Sequence, residues 1–290
     1  MSVPDQELVL WAGCVIRHGL LERAEAVRAG GFSSLSVLTG ELVAWEEGGR
    51  SLAELRRELR AREAPISAID PFVTWYPGYD PQAVDGEVAL HLRASEDDVL
   101  RYCEELGARF ITVVGPFVAP PADFERAVAS LGRFADRAAK IGVSPHVEMV
   151  PTTRIPDLAS AMALVRAVGR ANLGLLLDTY NLCRAGVAIS ELDEVPRETV
   201  FQLQLADAPA QPIGHTYFDD ALHRRQLPGL GELPLREIVE RLTAKGPLPP
   251  TGPEVFADDL AAMSATSAGR LAGETTRAFL ASLGGAAPGS

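Results

Sequence analysis

The chain carries two apolar segments, PHVEMVP at 145–151 and NLGLLLD at 172–178, and each contains one acidic residue. Glu148 lies near the end of the first segment, and Asp178 closes the second. Residues 157–169 have helical spacing, so the stretch predicts a strand, a helix and a second strand. A right-handed crossover returns the second strand parallel to the first, which brings both carboxylates to the same edge of a sheet.

Outward from this stretch, six further segments are typical of buried strands, and helical patterns separate them. The six predicted strands are 7–16, 32–38, 65–73, 109–115, 200–206 and 252–257. Eight strand–helix units in about 280 residues predict an α/β fold, a single (β/α)8 TIM barrel over residues 1–283. A doubly wound sheet is the alternative, but residues 13–16 (GCVI) do not form the glycine-rich turn that follows its first strand. Residues 284–290 are expected to be a disordered tail.

Composition narrows the class of protein. The 290 residues are 47% hydrophobic and 23% charged, which is typical of a globular chain with a substantial core. No apolar run approaches the ~20 residues of a membrane span, and the N-terminus has no basic region followed by an apolar core. Three distant cysteines predict neither a disulfide framework nor a cysteine zinc site. We therefore expect a cytoplasmic protein without a membrane partner.

The charge balance bears on the kind of partner. Asp and Glu number 39 against 27 Lys and Arg, and the net charge is −12. Nucleic-acid-binding proteins usually present a basic surface, because neutralising phosphates supplies much of their affinity. The sequence therefore predicts a small-molecule substrate and no nucleic acid, and it is compatible with a homo-oligomer.

Four oxygen-bearing side chains are predicted to stand at the ends of the last four strands: Glu148, Asp178, Gln204 and Glu254. Barrel strands deliver functional residues at their C-terminal ends. Three carboxylates and an amide oxygen suit Mg²⁺ or Mn²⁺, and a cation would relieve the repulsion between converging acids. The alternative is that each acid is a solvated strand end.

Five segments carry a resemblance to a known family: 147–151 (VEMVP), 177–181 (LDTYN), 202–209 (QLQLADAP), 225–231 (RQLPGLG) and Glu254. Their order and spacing resemble the xylose isomerase-like TIM barrels, the sugar phosphate isomerase/epimerase superfamily, over nearly the whole chain. The resemblance implies a metal shell of Glu148, Asp178, Gln204 and Glu254, filled by Mn²⁺ or Mg²⁺, with Zn²⁺ and Co²⁺ as further candidates.

The resemblance also implies a reaction. In sugar epimerases of this type, the residues matching Glu148 and Glu254 act as acid and base on opposite faces of the substrate, through a metal-stabilised enediolate. The expected activity is therefore a metal-dependent isomerase or epimerase of carbohydrate metabolism, acting on a small sugar-like or hydroxy-ketone substrate. A cation beside a developing oxyanion is a physically reasonable way to lower that barrier.

Three positions depart from the family pattern. Asn181 stands where many relatives have histidine, Gln204 replaces another frequent histidine, and Leu230 occupies an acidic place. Asn181 can hydrogen-bond a hydroxyl but cannot shuttle a proton near neutral pH. A metal-dependent dehydratase or lyase, or a barrel that binds a ligand without turnover, therefore stays open. An endonuclease would need more metal-binding histidines than the five in this chain and a basic face.

Further residues are candidates for substrate contact. Arg225 matches the family's substrate-binding arginine, although it could equally be a surface arginine that holds the loop through an ion pair. His223, His18 and Trp75 are predicted near the cavity, with solvated loop side chains or a loop anchor as alternatives.

Two residues are expected to support the site indirectly. His146 should share the strand face of Glu148, either as a buried, hydrogen-bonded core histidine or as a support for that carboxylate. Asp207 is expected to cap or orient the long loop at 207–233, and to stand behind the metal ligands.

Overall fold

A computed structural model describes residues 6–84, 86, 88–117, 119 and 123–283. The tail expected to be disordered, 284–290, lies outside these residues. Eight strands follow one another in a single sheet in chain order, and the described pairings are parallel. The predicted (β/α)8 TIM barrel is confirmed. The strands are β1 (Val9–Leu10), β2 (Ser34–Leu38), β3 (Ile66–Phe72), β4 (Phe110–Val114), β5 (Ser144–Glu148), β6 (Gly174–Asp178), β7 (Val200–Leu205) and β8 (Thr251–Pro253).

Helices separate the strands. Among the described residues they are α1 (Arg23–Gly30), α2 (Thr39–Glu47), α3 (Leu52–Ala61), α4 (Glu96–Leu106), α5 (Phe124–Lys140), α6 (Leu158–Val168), α7 (Thr179–Arg184), α8 (Tyr217–His223), α9 (Leu235–Ala244), α10 (Asp258–Ala261) and α11 (Ala265–Leu283). A capping box begins α4, because Ser95 Oγ accepts from Asp98 N and Asp98 Oδ2 accepts from Ser95 N. None of the helices in the described part of the chain is both long and apolar enough to cross a membrane.

The chain divides into two compact units. The first contains the residues up to Leu35, residues 62–64 and the chain from Asp178 onward. In this unit β8 is hydrogen-bonded to the residues just before β1, because Thr251 N donates to Glu7 O at 3.0 Å. Gly252 has no room for a side chain there, because a Cβ would lie 1.7 Å from the carbonyl oxygen of Val9.

The second unit contains residues 36–61 and 65–177. Its strands are paired in register, with Glu148 of β5 opposite Val114 of β4 and Leu176 of β6. The middle of β5 is fully buried, as expected for a strand covered on both faces. A single barrel domain over residues 1–283 remains a prediction.

Three elements differ from the sequence expectation. The first strand stops at Leu10, and Ala12–Val15 form a 3₁₀ helix. This turn is as apolar and buried as a strand, so hydrophobicity alone does not separate the two. The eighth strand ends at Pro253 and leaves Glu254 just beyond it.

The third difference concerns the segment 207–233, which was expected to be a loop but contains α8. Thr216 Oγ1 accepts from Asp219 N at 3.1 Å, a helix N-cap whose short signature is present in the sequence. Tyr217 is the first residue of this helix, so the helix fixes the position of its backbone.

Candidate functional site

Asp178 is fully buried at the end of β6, and both of its oxygens are engaged. Oδ1 accepts from the backbone N–H groups of Tyr180 at 2.7 Å and Asn181 at 3.4 Å, which caps α7. Oδ2 accepts from Nη1 of Arg225 at 2.8 Å. The carboxylate is therefore held in one orientation from two sides.

Arg225 is not at the surface. Its side chain is 6% exposed, and its Nε donates to Ala221 O at 2.8 Å. Nη1 also reaches Glu254, with the carbonyl O at 3.3 Å and Oε2 at 3.4 Å. Burial alone would lower the pKa of Arg225, but the charges of Asp178 and Glu254 outweigh it and hold that pKa above its ordinary value. The alternative of a surface ion pair for Arg225 is therefore wrong.

Aromatic rings cover the guanidinium. Its carbon lies 4.5 Å from the ring centre of Tyr180 and 5.3 Å from that of Phe256. The backbone of Arg225 is fixed as well, because its N–H donates to Phe256 O at 3.1 Å. Packing, cation–π attraction and two carboxylates thus hold a single cationic group in place.

Gln204 is the fourth predicted ligand, and it is fully buried on β7. Neither its Oε1 nor its Nε2 has a hydrogen-bond partner among the described residues. Leaving a buried polar group without a hydrogen bond costs about 1–3 kcal/mol, so we expect a ligand, an ion or a water molecule to bind this amide. An amide oxygen without a protein partner is what a metal ligand would look like before the ion binds.

Glu148 ends β5 and is 6% exposed. Asp178 and Glu254 are both buried, and both carboxylates contact Nη1 of Arg225, at 2.8 and 3.4 Å. Anionic oxygens of this kind can hold a divalent cation, and an amide oxygen fits the same donor set.

His146 is fully buried in β5, as the core interpretation expects. One ring nitrogen, Nε2, lies 3.0 Å from Thr112 Oγ1. The other, Nδ1, has no hydrogen-bond partner among the described residues. Burial lowers the pKa of His146 to about 3, so the ring is neutral at ordinary pH. Its predicted support of Glu148 remains a prediction.

Asp207 orients the segment that follows β7. Its Oδ1 accepts from Ala208 N at 2.9 Å and Leu233 N at 3.0 Å, and its Oδ2 accepts from Gly229 N at 3.1 Å. These bonds tie both ends of the predicted long loop to one carboxylate. Leu230, in the place where the family pattern has an acid, is 59% exposed.

Two of the three remaining candidates have partners other than the proposed metal ligands. Trp75 is buried, and its Nε1 donates to Val114 O at 2.9 Å, which is the geometry of a loop anchor. His223 is 38% exposed and pairs with Asp258 at 3.0 Å. His18 follows the first 3₁₀ helix, and its Nε2 has no hydrogen-bond partner within the described chain. Substrate contact by these three side chains remains a prediction.

Tyr217 was not among the residues predicted from the sequence. Its hydroxyl donates to Asn181 Oδ1 at 2.6 Å, and its ring centre lies 6.2 Å from that of Tyr180. Tyr217 is thus joined to the residue that replaces the family's histidine. The N-cap signature at Thr216 was the available signal for a helix that would position it.

Comparisons with known proteins fit this arrangement. The family model described as "Xylose isomerase-like TIM barrel" matches residues 24–281. The chain belongs to this family.

Two curated relatives carry activities in their names. An inosose isomerase of Halalkalibacterium halodurans is 29% identical over 50% of this chain and 51% of its own length. A 3-dehydroshikimate dehydratase of Pseudomonas aeruginosa is 26% identical over 82% of this chain but 36% of its own length. The chain thus spans about half of the first relative and about a third of the second.

A solved structure of the IolI protein, whose description includes a bound zinc atom, superimposes with a TM-score of 0.80 at 20% identity. The match covers 96% of this chain and 99% of that protein. At this identity the likeness concerns the fold alone.

Proposed function

We propose that this protein is a divalent-metal-dependent isomerase or epimerase, acting on a small sugar-like or hydroxy-ketone substrate by carboxylate-mediated proton transfer. The observation that carries the proposal is the fully buried amide of Gln204, which has no hydrogen-bond partner among the described residues and lies on the strand that pairs with β8, directly before the buried Glu254. A barrel interior built for stability alone would fill these positions with apolar side chains.

Glu148, Asp178, Gln204 and Glu254 would hold the ion. Their oxygens favour Mn²⁺ or Mg²⁺, with Zn²⁺ and Co²⁺ as further candidates, and zinc is the metal named for the IolI structure. A divalent ion bound there supplies positive charge beside the substrate oxygens on which negative charge develops.

The protein's own residues divide the remaining work. Asp178 is fixed by the α7 N–H groups and Arg225, so it suits holding and orienting better than proton transfer. Glu148 and Glu254 are the proposed acid and base: one removes a proton from the carbon beside the carbonyl, and the other returns a proton to the neighbouring carbon or the opposite face. Arg225 offsets part of the repulsion between the carboxylates.

The dehydratase is the second candidate, because a curated relative carries that name. It shares the first step, removal of a proton beside a carbonyl, and differs in that the resulting enolate expels hydroxide, which leaves as water. Asn181 cannot supply the proton for that departure, whereas the phenol of Tyr217, 2.6 Å from it, can donate one.

Metal analysis combined with proton exchange tests the proposal. We expect purified protein to bind one divalent ion, and a hydroxy-ketone incubated with it in D₂O to exchange its α-proton only when the metal is present, as measured by NMR. Glu254→Gln should lower exchange at least about 100-fold, whereas Glu104→Gln, a change on the exposed face of α4, should leave it unaltered.

Product mass then separates the two candidates. Unchanged mass indicates isomerisation or epimerisation, and loss of water indicates elimination. The proposal is wrong if no divalent ion binds, or if Glu148→Gln and Glu254→Gln leave metal content and exchange unchanged. Ligand binding without any exchange would instead support the barrel that binds without turnover.

A further inference from the structure

The hydrogen bonds of Arg225 bear on the charge of the substrate. A guanidinium holds a carboxylate best through two parallel hydrogen bonds, and it has two edges that can do so. One edge uses Nε, and the other uses both terminal nitrogens. Arg225 can bind an anionic substrate group through two parallel hydrogen bonds only if one of these edges is not already occupied by other acceptors.

Neither edge of Arg225 is open. Nε donates to Ala221 O at 2.8 Å, which closes the first edge. Nη1 donates to Asp178 Oδ2 at 2.8 Å and to Glu254 at 3.3 and 3.4 Å, which closes the second. Among the described residues, Nη2 is the one nitrogen of this side chain without an acceptor, and it can give single hydrogen bonds to a carbonyl or hydroxyl oxygen. The positive charge is already balanced against two buried carboxylates.

Two further arginines of the neighbouring helices have hydrogen-bond or ion-pair partners. The terminal nitrogens of Arg184, in α7, donate to Pro209 O at 2.9 Å and Ala210 O at 3.2 Å, whereas its Nε has no partner among the described residues. Arg224, at the end of α8, lies 3.6 Å from Asp219. Apart from Arg225, Asp178 contacts the backbone of Asn181, whose side-chain amide accepts from the Tyr217 phenol, and these two side-chain groups are uncharged. Groups of this kind exchange hydrogen bonds with hydroxyls but do not compensate a buried negative charge.

From these contacts we propose that the substrate is an electrically neutral polyhydroxylated ketone, and that the site discriminates against hydroxy-ketones carrying a carboxylate or phosphate. This inference rests on the proposed function and refines it. The net charge of −12 acts in the same direction at long range. Between the two named relatives, the expectation favours the chemistry of an inosose, a neutral cyclic ketone, over that of dehydroshikimate, a carboxylate.

A pair of ligands matched in size but different in charge tests the inference. 3-Dehydroshikimate and its carboxamide have nearly the same size and differ in charge, so calorimetric titration of each compares the two directly. With the Mn²⁺-loaded protein and with the metal-free protein, we expect the carboxamide to bind at least about tenfold more tightly, equivalent to about 1.4 kcal/mol. An inosose should exchange its α-proton in D₂O at least about tenfold faster than 3-dehydroshikimate, measured as kcat/KM.

Ionic strength serves as the control. Repulsion from the surface charge is screened over about 8–10 Å at 0.1–0.15 M salt, whereas a deficit of donors inside the site is not. The carboxamide preference should therefore persist at 0.5 M KCl, and its disappearance there would contradict a preference set by the site.

The experiments distinguish a failure of this inference from a failure of the proposed function. Binding or exchange of 3-dehydroshikimate as strong as that of the neutral compounds overturns the inference and leaves the proposed function standing. Absence of metal-dependent exchange with every compound overturns the proposed function, and the inference falls with it.

Discussion

Two arginines of this protein each face two carboxylates, and they differ in burial. Arg225 is 6% exposed and pairs with Asp178 and Glu254, whose side chains are 0% and 6% exposed. Arg137 of α5 is 45% exposed and lies 2.6 Å from both Glu96 and Asp97, at the start of α4. Judged by distance alone, the surface cluster has the better contacts. Solvent screens the exposed charges of this surface cluster, however, so distance is a poor guide to how much each cluster contributes to the stability of the fold.

Breaking the buried cluster also carries a free-energy cost that breaking the surface cluster does not. Removing one partner from a buried ion pair leaves a charge without compensation, whereas the same removal at the surface leaves a charge that water solvates. The comparison predicts different consequences for the same substitution at the two sites.

The largest effect is expected for Arg225→Met, which keeps much of the side-chain volume but leaves Asp178 and Glu254 without their cation. The free energy of unfolding should fall by about 3–5 kcal/mol, as measured by urea denaturation of the metal-free protein. Mn²⁺ should recover part of this loss, because an ion that binds only the folded state stabilises it. A variant as stable as the parent without metal would contradict the role of Arg225 as the counterion of both acids.

An intermediate effect is expected for Tyr217→Phe, which removes the donor at 2.6 Å from Asn181 but no formal charge. The loss should be about 1–2 kcal/mol, the usual range for a hydrogen bond removed from a buried acceptor. Asn181→Ala and the double variant complete a double-mutant cycle in urea. A coupling energy indistinguishable from zero would show that this hydrogen bond does not stabilise the fold.

The smallest effect is expected for Arg137→Met, although it breaks two short ion pairs. The free energy of unfolding should change by less than about 1 kcal/mol. Repeating the urea titration in 0.5 M KCl should reduce even that difference, since exposed charges are screened. A loss as large as that of Arg225→Met would remove the distinction between the two clusters.

The sequence predicts those features of the site whose signal lies within a few neighbouring residues. Glu148 and Asp178 each follow an apolar strand pattern, and the structure places each at the end of its strand. The capping signals before α3 and α4 are likewise short-range, and both caps form. Periodicity and capping act within a few residues, so a single sequence suffices to find them.

The environment of Arg225 could not be predicted in the same way. Its partners Asp178 and Glu254 lie 47 and 29 positions away in the chain, so no local pattern distinguishes this residue from a surface arginine. The sequence of α2 does not predict a helix, because it has no clear apolar stripe along which a helical period could be recognised. That the Gln204 amide has no partner among the described residues is a tertiary property too, since it depends on what surrounds β7.

The bonds of Asp207 have a consequence for how this protein can change over evolutionary time. One carboxylate holds Ala208, Gly229 and Leu233, and the backbones of Asp207 and Gln226 exchange two hydrogen bonds of 2.7 and 2.8 Å. The residues before α8 can therefore change in length at low cost, since doubling the length of a loop costs only about 0.6 kcal/mol in closure. Insertions at 209–215 should leave Tyr217 on Asn181 and Arg225 on the carbonyl of Ala221.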